Sequence, residues 1–166
     1  MGPEFVKGLR FVCSDMWRPY LKVIAGQADQ ALDRFHITMH MNQAVDEVRR
    51  AESTRLRAKS KDQAKRLKNM RWSLLRKGSR VRGHAREKLN ALLASKLATA
   101  RAWELKEVFQ HFWKYTSPLW ASAFLDYWCQ RAMRSRLEPI KKVARMLRTH
   151  EDLLMNWFRA NRSSSR

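Results

Sequence analysis

Apolar residues recur at helical spacing along most of the chain. Asp33 is placed to cap a helix that carries the first clear stripe. That stripe consists of Ile37, Met41, Ala44, Val45 and Val48. Between residues 49 and 82 the apolar positions become sparse, which predicts an exposed helix and then breaks at residues 77–79 and at Gly83. The apolar anchors of this stretch are Leu56, Leu67, Met70, Trp72, Leu74 and Leu75.

The C-terminal half has a denser apolar pattern, rich in Trp and Phe. From His84 to Phe112 it predicts one long helix or two joined helices, stopped at residues 116–118 because Pro118 disfavours helix before it. The next helix is expected to end near residues 138–139, and helical spacing then resumes up to Phe158. Its apolar face is assigned to Trp120, Phe124, Trp128 and Ala132. Aromatic residues at this spacing favour a core, and a base-stacking surface is the alternative.

The N-terminal segment has a different pattern. Residues 8–14 predict a short buried strand that ends at Asp15, and a helix follows from Met16 to Gly26. The whole chain is therefore predicted to be mainly α, with one short N-terminal strand followed by about six helices. Because a lone strand cannot satisfy its own backbone groups, the pattern indicates that sheet partners are missing.

The net charge of the chain indicates which kinds of molecule it is expected to bind. The 166 residues include 35 Lys and Arg against 15 Asp and Glu, which gives a formal net charge of +20. Such a balance predicts attraction to polyanions, and cations spread along the chain, many of them Arg, favour nucleic acid over a membrane surface. A solvated basic surface without a dedicated partner is the alternative. The densest predicted DNA-binding run is Arg131, Arg134, Arg136, Lys141, Lys142, Arg145 and Arg148.

Other patterns point to a soluble cytoplasmic protein without a membrane partner. No apolar run approaches membrane-spanning length. Cys13 and Cys129 are too far apart for a zinc site and are expected to be reduced, buried thiols. His36 and His40 could share a metal across one helical turn, but no third ligand is suggested, so polar contacts are favoured. Asp15 alone is more typical of a helix cap than of a Mg²⁺ ligand.

Several longer motifs carry a family resemblance. They are VCSDMWRPY at 12–20, LDRFHI at 32–37, MNQAVDEVRR at 41–50, FWKYTSPLWASAFLDYWC at 112–129, RAMRSRLEP at 131–139, KKVARMLRTH at 141–150 and LLMNWFRA at 153–160. In this order they resemble the DDE transposases of the ISL-three insertion-sequence family, and the resemblance is weakest in residues 53–88. It extends over nearly the whole chain.

The resemblance implies an RNase H-like catalytic domain interrupted by a helical insertion. In that family three acids hold two divalent ions, Mg²⁺ or Mn²⁺, which act on a DNA phosphodiester. Asp15 matches the second acid, and is therefore the expected catalytic and metal-binding residue. Asp33 and His36 match positions that support the site. The implied domains are a catalytic remnant at 1–48, a basic helical insertion at 49–160 and a polar tail at 161–166.

Departures from the family pattern concern the rest of the catalytic machinery. The first acid is expected upstream of Met1, and the third belongs to a Val-Glu-Gly-like motif where this chain has residues 161–166. Residues 27–32 are too polar for the apolar strand expected there. We therefore expect a truncated, catalytically inactive transposase that is nucleoid-associated and holds no metal productively. Its expected partners are DNA, as transposon ends or without sequence preference, and further copies of the same chain in a homo-oligomer. The alternatives are a stand-alone nucleic-acid-binding module, an inhibitor that assembles with a full-length transposase, or a nuclease completed by another chain.

Overall fold

A computed structural model describes the backbone of residues 11–14, 29–32 and 34–163, and the side chains of residues 34–158. Within these ranges the protein is mainly helical, as predicted, with eight α-helices. They are α1 Arg34–Arg57, α2 Lys61–Asn69, α3 Arg71–Leu75, α4 Gly83–Leu93, α5 Ala98–Phe109, α6 Pro118–Arg134, α7 Glu138–Thr149 and α8 Glu151–Ser163. Two 3₁₀ turns, Gly78–Arg80 and Gln110–Lys114, follow α3 and α5.

Two short extended segments precede the helices. Strand β1, Phe11–Ser14, pairs in parallel with β2, Asp29–Leu32, so that Phe11 lies opposite Asp29 and Ser14 opposite Leu32. Strand β2 contacts α8. The prediction of a single strand is not confirmed in that form, since a polar segment judged unsuitable for a strand takes part in the pairing. The helix predicted from Met16 lies outside the described residues, and an RNase H-like sheet stays a prediction.

Helix α1 is the element on which most of the others pack. It contacts α2, α3, α5 and α7. The apolar stripe predicted for it is confirmed, because Ile37, Met41 and Val45 are fully buried and Ala44 and Val48 nearly so. The helix runs without a break across the predicted domain boundary between residues 48 and 49. The division into a catalytic remnant and an insertion therefore has no counterpart in the helix boundaries and stays a prediction.

The second half of the helices encloses an aromatic core. The Phe109 ring stacks on Phe112 with their centroids 5.3 Å apart, and Trp128 meets Phe109 edge-on at 4.9 Å. The indole Nε1 of Trp128 donates a hydrogen bond of 2.8 Å to the carbonyl oxygen of Leu105. Trp113 packs on Trp157 at 5.1 Å. The prediction that most Trp and Phe residues form core is confirmed for this cluster.

Two tryptophans predicted to be buried are exposed instead. Trp72 and Trp120 expose 67% and 65% of their surface. Met70, just before α3, and Leu74 within it are buried, and Trp72 lies between them in sequence and so on the opposite side of the helix. In α6 the buried positions are Ala121, Leu125, Trp128 and Ala132. Trp120 precedes this stripe by one residue, which rotates it about 100° away from the core.

The helix count and the helix ends also differ from the prediction. About six helices were expected, but Ser60 starts a separate helix by accepting a hydrogen bond from the amide of Gln63, and a further break falls at Met70. Helix α6 ends at Arg134, before the predicted end, because Arg136 adopts a left-handed backbone with φ of 58°. Helix α8 continues to Ser163 and so enters the predicted polar tail.

Two buried charged side chains join the two halves of the helical part. The carboxylate of Glu52 in α1 accepts hydrogen bonds from the amides of Ala98 and Thr99, at 2.8 and 2.7 Å, and from the Thr99 hydroxyl at 2.6 Å. It thereby caps the N-terminus of α5 from another helix. Lys106 in α5 donates to the carbonyl oxygens of Leu74 and Arg76. Burial lowers the pKa of the Lys106 ammonium, and the neighbouring Glu107 opposes that shift.

Candidate nucleic-acid interface

The seven cations predicted to bind DNA lie in the last turn of α6, in the following loop and along α7. We call this set, residues 131–148, the α6–α7 basic surface. All of these side chains are exposed except that of Lys141, which is partly buried. On α7, Lys141, Arg145 and Arg148 follow one another at spacings of four and three residues, so they share one face. The run is thus exposed apart from Lys141, and its binding of DNA stays a prediction.

One carboxylate lies within the α6–α7 basic surface and reduces its charge. Glu138 is 2.7 Å from Arg145 Nη1 and 3.2 Å from Lys141 Nζ. Hydrogen bonds from Arg145 and then Lys141 lower the pKa of Glu138, so it is charged at neutral pH. Arg131 lies over the ring of Tyr127, with the guanidinium carbon 5.7 Å from the centroid. Arg131, Lys141 and Arg145 therefore already have partners within the chain, and Arg148 interacts with the Cys129 thiol.

A second and larger basic surface covers the end of α1, helices α2 and α3, and the start of α4. We call it the 55–88 basic surface. It consists of Arg55, Arg57, Lys59, Lys61, Lys65, Arg66, Lys68, Arg71, Arg76, Lys77, Arg80, Arg82, Arg86 and Lys88. Every one of these fourteen residues is exposed, and only two acids, Asp62 and Glu87, lie in the same stretch. Helices α1 to α4 contact one another in succession, so these cations belong to one packed unit.

The 55–88 basic surface is not among the DNA-binding residues predicted from the sequence. A signal was present, since fourteen cations in residues 55–88 are as dense as seven in residues 131–148. The pattern of this stretch predicts a solvent-exposed helix with breaks, because Lys and Arg dominate it and its apolar anchors are sparse. A charge count in fixed windows would have ranked the two stretches together.

Two concavities lie in or beside the 55–88 basic surface. The larger, about 1030 Å³, lies between α2 and α4 and has mostly apolar walls, including Leu56, Leu67 and Leu92. The smaller is about 560 Å³. It is lined by Asp46, Arg49, Arg50, Lys68, Asn69, Arg71 and Trp72, and we call it the Asp46–Trp72 pocket. The larger concavity also has cations among its lining residues, Arg66, Lys88 and Lys96, but five of the seven residues that line the smaller one are charged, four of them cations suited to an anion.

The residues predicted to form the catalytic site lie at the edge of the described part of the chain or beyond it. Asp15 and Asp33 are outside the described residues. His36 and His40 are half-buried on α1, and burial, followed by the charge of His36, lowers the pKa of His40. Among the residues that the structure describes, no group of three His, Cys, Asp or Glu side chains is placed to hold a metal ion.

The remaining sequence predictions concern the cysteines and the membrane. Cys129 is a buried free thiol as expected, and burial raises its pKa to about 11. Cys13 has no described side chain. Within the described helices, none combines the length and apolar character needed to cross a bilayer.

Comparison with known proteins agrees with the motif resemblance. The model of the ISL-three family of DDE transposases, described as a transposase family, matches residues 2–166. No curated protein and no solved structure matches the chain significantly. Since the family match spans nearly all of the sequence, including both basic surfaces, this chain belongs to the ISL-three family of DDE transposases.

Proposed function

We propose that the helical part of this transposase binds DNA without sequence preference, mainly through the 55–88 basic surface and secondarily through the α6–α7 basic surface. The observation that carries this proposal is the exposure of all fourteen cations of that surface beside only two acids. One of those acids, Asp62, is paired with Arg66 at 2.8 Å, which leaves most of the cations available for phosphates. Transposition supplies the DNA, since the chain belongs to a transposase family.

Contacts of this kind work by releasing counterions from DNA. Log affinity falls as log salt rises, and each phosphate neutralised by a Lys or Arg makes this negative slope steeper by about 0.9 on duplex DNA. The salt dependence of binding therefore counts the contacts, and charge-removing variants assign them to one surface or the other.

The experiment compares two variants with four matched charge removals each. The first carries Lys59→Gln, Lys65→Gln, Lys77→Gln and Arg80→Gln in the 55–88 basic surface. The second carries Arg131→Gln, Arg134→Gln, Lys142→Gln and Arg148→Gln in the α6–α7 basic surface. All eight positions are exposed, so both variants should keep the circular dichroism spectrum and the unfolding midpoint of the parent. Binding of a short duplex is measured by fluorescence anisotropy over a range of salt.

The two surfaces should respond unequally. The first variant should bind the duplex about tenfold or more weakly at low salt. The magnitude of its salt slope should be smaller by about 2 to 3, as expected for several lost phosphate contacts. The second should reduce the magnitude of the slope by about 1, because that surface has seven cations rather than fourteen and the Glu138 carboxylate lies among them, so fewer phosphates are bound there. Equal losses in both variants would contradict the ranking, and a parent chain that shows no salt-dependent binding would contradict DNA binding itself.

The catalytic role of Asp15 and the inactivity of this chain are separate proposals. Asp15 is proposed as one metal-binding acid of the family site, and two-metal phosphodiester chemistry needs further carboxylates. We expect these 166 residues alone to show no Mg²⁺-dependent DNA cleavage. If cleavage is seen on mixing with a full-length transposase, Asp15→Ala tests whether this chain supplies an acid. Inhibition of the full-length enzyme in the same mixture would support the alternative, an inhibitory assembly.

A further inference from the structure

The Asp46–Trp72 pocket holds more positive charge than its one carboxylate can balance. Asp46 is contacted by Arg49 Nη2 at 2.8 Å, Arg50 Nε at 3.3 Å and Arg71 Nε at 3.6 Å. Lys68 also lines the pocket, so four cations surround one acid. Like charges brought together in this way repel one another unless an anion lies among them.

The four cations differ in how they are held. Arg49 is buried, bonds Asp46 through Nε at 2.8 Å and donates to the carbonyl oxygen of Lys68 at 3.4 Å. Arg49 is therefore part of the pocket wall, and its ion pair with Asp46 is the shortest of the three. The side chains of Arg50 and Arg71 are 63% and 50% exposed, and their contacts with Asp46 are longer. Their remaining donors are free to bind an anion from solution.

Trp72 adds an aromatic face beside these cations. It exposes 67% of its surface, while its neighbours Met70 and Leu74 fill the core. The guanidinium of Arg71 lies 5.1 Å from the Trp72 ring centroid, which keeps the ring at the mouth of the pocket. An exposed indole next to phosphate-binding side chains is the arrangement by which proteins stack nucleobases.

We infer that the Asp46–Trp72 pocket binds one unstacked nucleotide, with the base on Trp72 and a flanking phosphate on Arg50, Lys68 and Arg71. The inference rests on the proposed DNA binding and specifies a site and a substrate form for it. The volume of about 560 Å³ falls within the range of small-ligand sites, roughly 300–1,000 Å³. A base stacked within a duplex hides both of its faces, so only a single-stranded, flipped or unpaired nucleotide can use this pocket.

The test compares three DNAs of equal length, about twelve nucleotides, which is within the site sizes of single-strand-binding proteins. They are a duplex, a thymidine strand and a strand in which abasic sugars replace the bases. The variants are Trp72→Ala, Trp120→Ala and Arg50→Gln. Trp120 is the matched control because it is as exposed as Trp72, at 65%, but lies on α6 outside the pocket.

Trp72→Ala should weaken binding of the thymidine strand by about 5- to 150-fold, since stacking one base contributes about 1–3 kcal/mol. Its affinity for the abasic strand and the duplex should stay within about twofold of the parent, as should that of Trp120→Ala for all three DNAs. Arg50→Gln should weaken both single strands, because each carries the phosphates that the pocket binds.

The possible failures are distinguishable. If the parent binds the duplex but Trp72→Ala and Trp120→Ala weaken the thymidine strand equally, the nucleotide site is overturned and the proposed DNA binding stands. The same conclusion follows if the parent binds the thymidine and abasic strands equally well. If the parent binds none of the three DNAs, the proposed function is overturned and the nucleotide site with it.

Discussion

Two parts of the same helical unit differ in their charge and in the side chains that they bury. Residues 34–93 carry 17 Lys and Arg against five acids, whereas residues 98–158 carry ten against six. The first part is buried mainly through aliphatic side chains such as Leu67, Leu74 and Leu89. The second encloses Trp128, Phe109 and Phe112, the largest fully buried side chains of the described residues. Helix α1 belongs to the first part and packs on α5 and α7 of the second, so the two parts share one core.

The difference separates stability from binding. Burial of an aromatic side chain removes a large apolar area from water, so the aromatic part contributes more to folding per residue. The basic part has fewer aromatic side chains and many solvated cations. These cations repel one another, which lowers stability, but they attract a polyanion. We therefore expect mutations in the aromatic part to change unfolding, and exposed mutations in the basic part to change DNA affinity.

The largest expected effect comes from truncating the central tryptophan. Trp128→Ala should lower the free energy of unfolding by about 3–5 kcal/mol, because it opens a cavity beside Phe109 and removes the hydrogen bond to Leu105. Trp72→Ala should change it by less than about 0.5 kcal/mol, because that ring is mostly exposed. Urea unfolding followed by circular dichroism measures both. A loss at Trp72 as large as that at Trp128 would break the distinction between the two parts.

The next largest loss of stability should come from Glu52, whose hydrogen bonds link the basic part to the aromatic part; we call its contacts and those of Lys106 the joint. Glu52→Ala leaves the amides of Ala98 and Thr99 and the Thr99 hydroxyl without their acceptor, in a buried place. We expect a loss of about 2–3 kcal/mol in the free energy of unfolding, since unsatisfied buried donors and a lost helix cap both destabilise. Glu104→Ala, at an exposed position of the same helix α5, is the control. Equal effects of the two substitutions would show that Glu52 does not join the parts.

Helical periodicity was enough to predict most of this architecture. It placed the stripe of α1 from Ile37 to Val48, the break at residues 77–79 and the aromatic core around Trp128. It failed at Trp72 and Trp120 because each lies beside a buried stripe, where a difference of one residue decides between core and solvent. Local spacing does not determine that choice when apolar residues flank the stripe on both sides.

The joint and the pocket could not be predicted from spacing, since both depend on distant residues. Glu52 meets its partners 46 and 47 residues later, and Lys106 reaches carbonyl oxygens 32 and 30 residues earlier. The charges of the Asp46–Trp72 pocket come from α1, α2 and α3, which only the packing of those helices brings together. Exposed cations, by contrast, can be counted from sequence, and the α6–α7 basic surface was found in that way.

A smaller expected loss of stability tests how closely the basic part packs against the aromatic part at the turn after α3. The amide of Gly78 donates to Glu107 Oε2 at 2.9 Å. A methyl group at Gly78 would meet that oxygen at 2.8 Å and the Trp103 ring at 3.0 Å. Gly78→Ala should therefore lower the free energy of unfolding by about 1–2 kcal/mol through overpacking, while Ser79→Ala, at an exposed position, should change it by less than about 0.5 kcal/mol.

Gly83 offers a second comparison with a different physical cause. A side chain there meets no atom within 4 Å, but the residue has φ of +57°, which disfavours alanine. Gly83→Ala should cost about 1 kcal/mol through backbone strain, and Gly83→Asn less, because asparagine tolerates the left-handed region. The same relief should not occur at Gly78, where Gly78→Asn should cost at least as much as Gly78→Ala. If asparagine rescued both positions, backbone strain rather than contact with Glu107 and Trp103 would control the turn, and the close packing of the two parts at this point would be refuted.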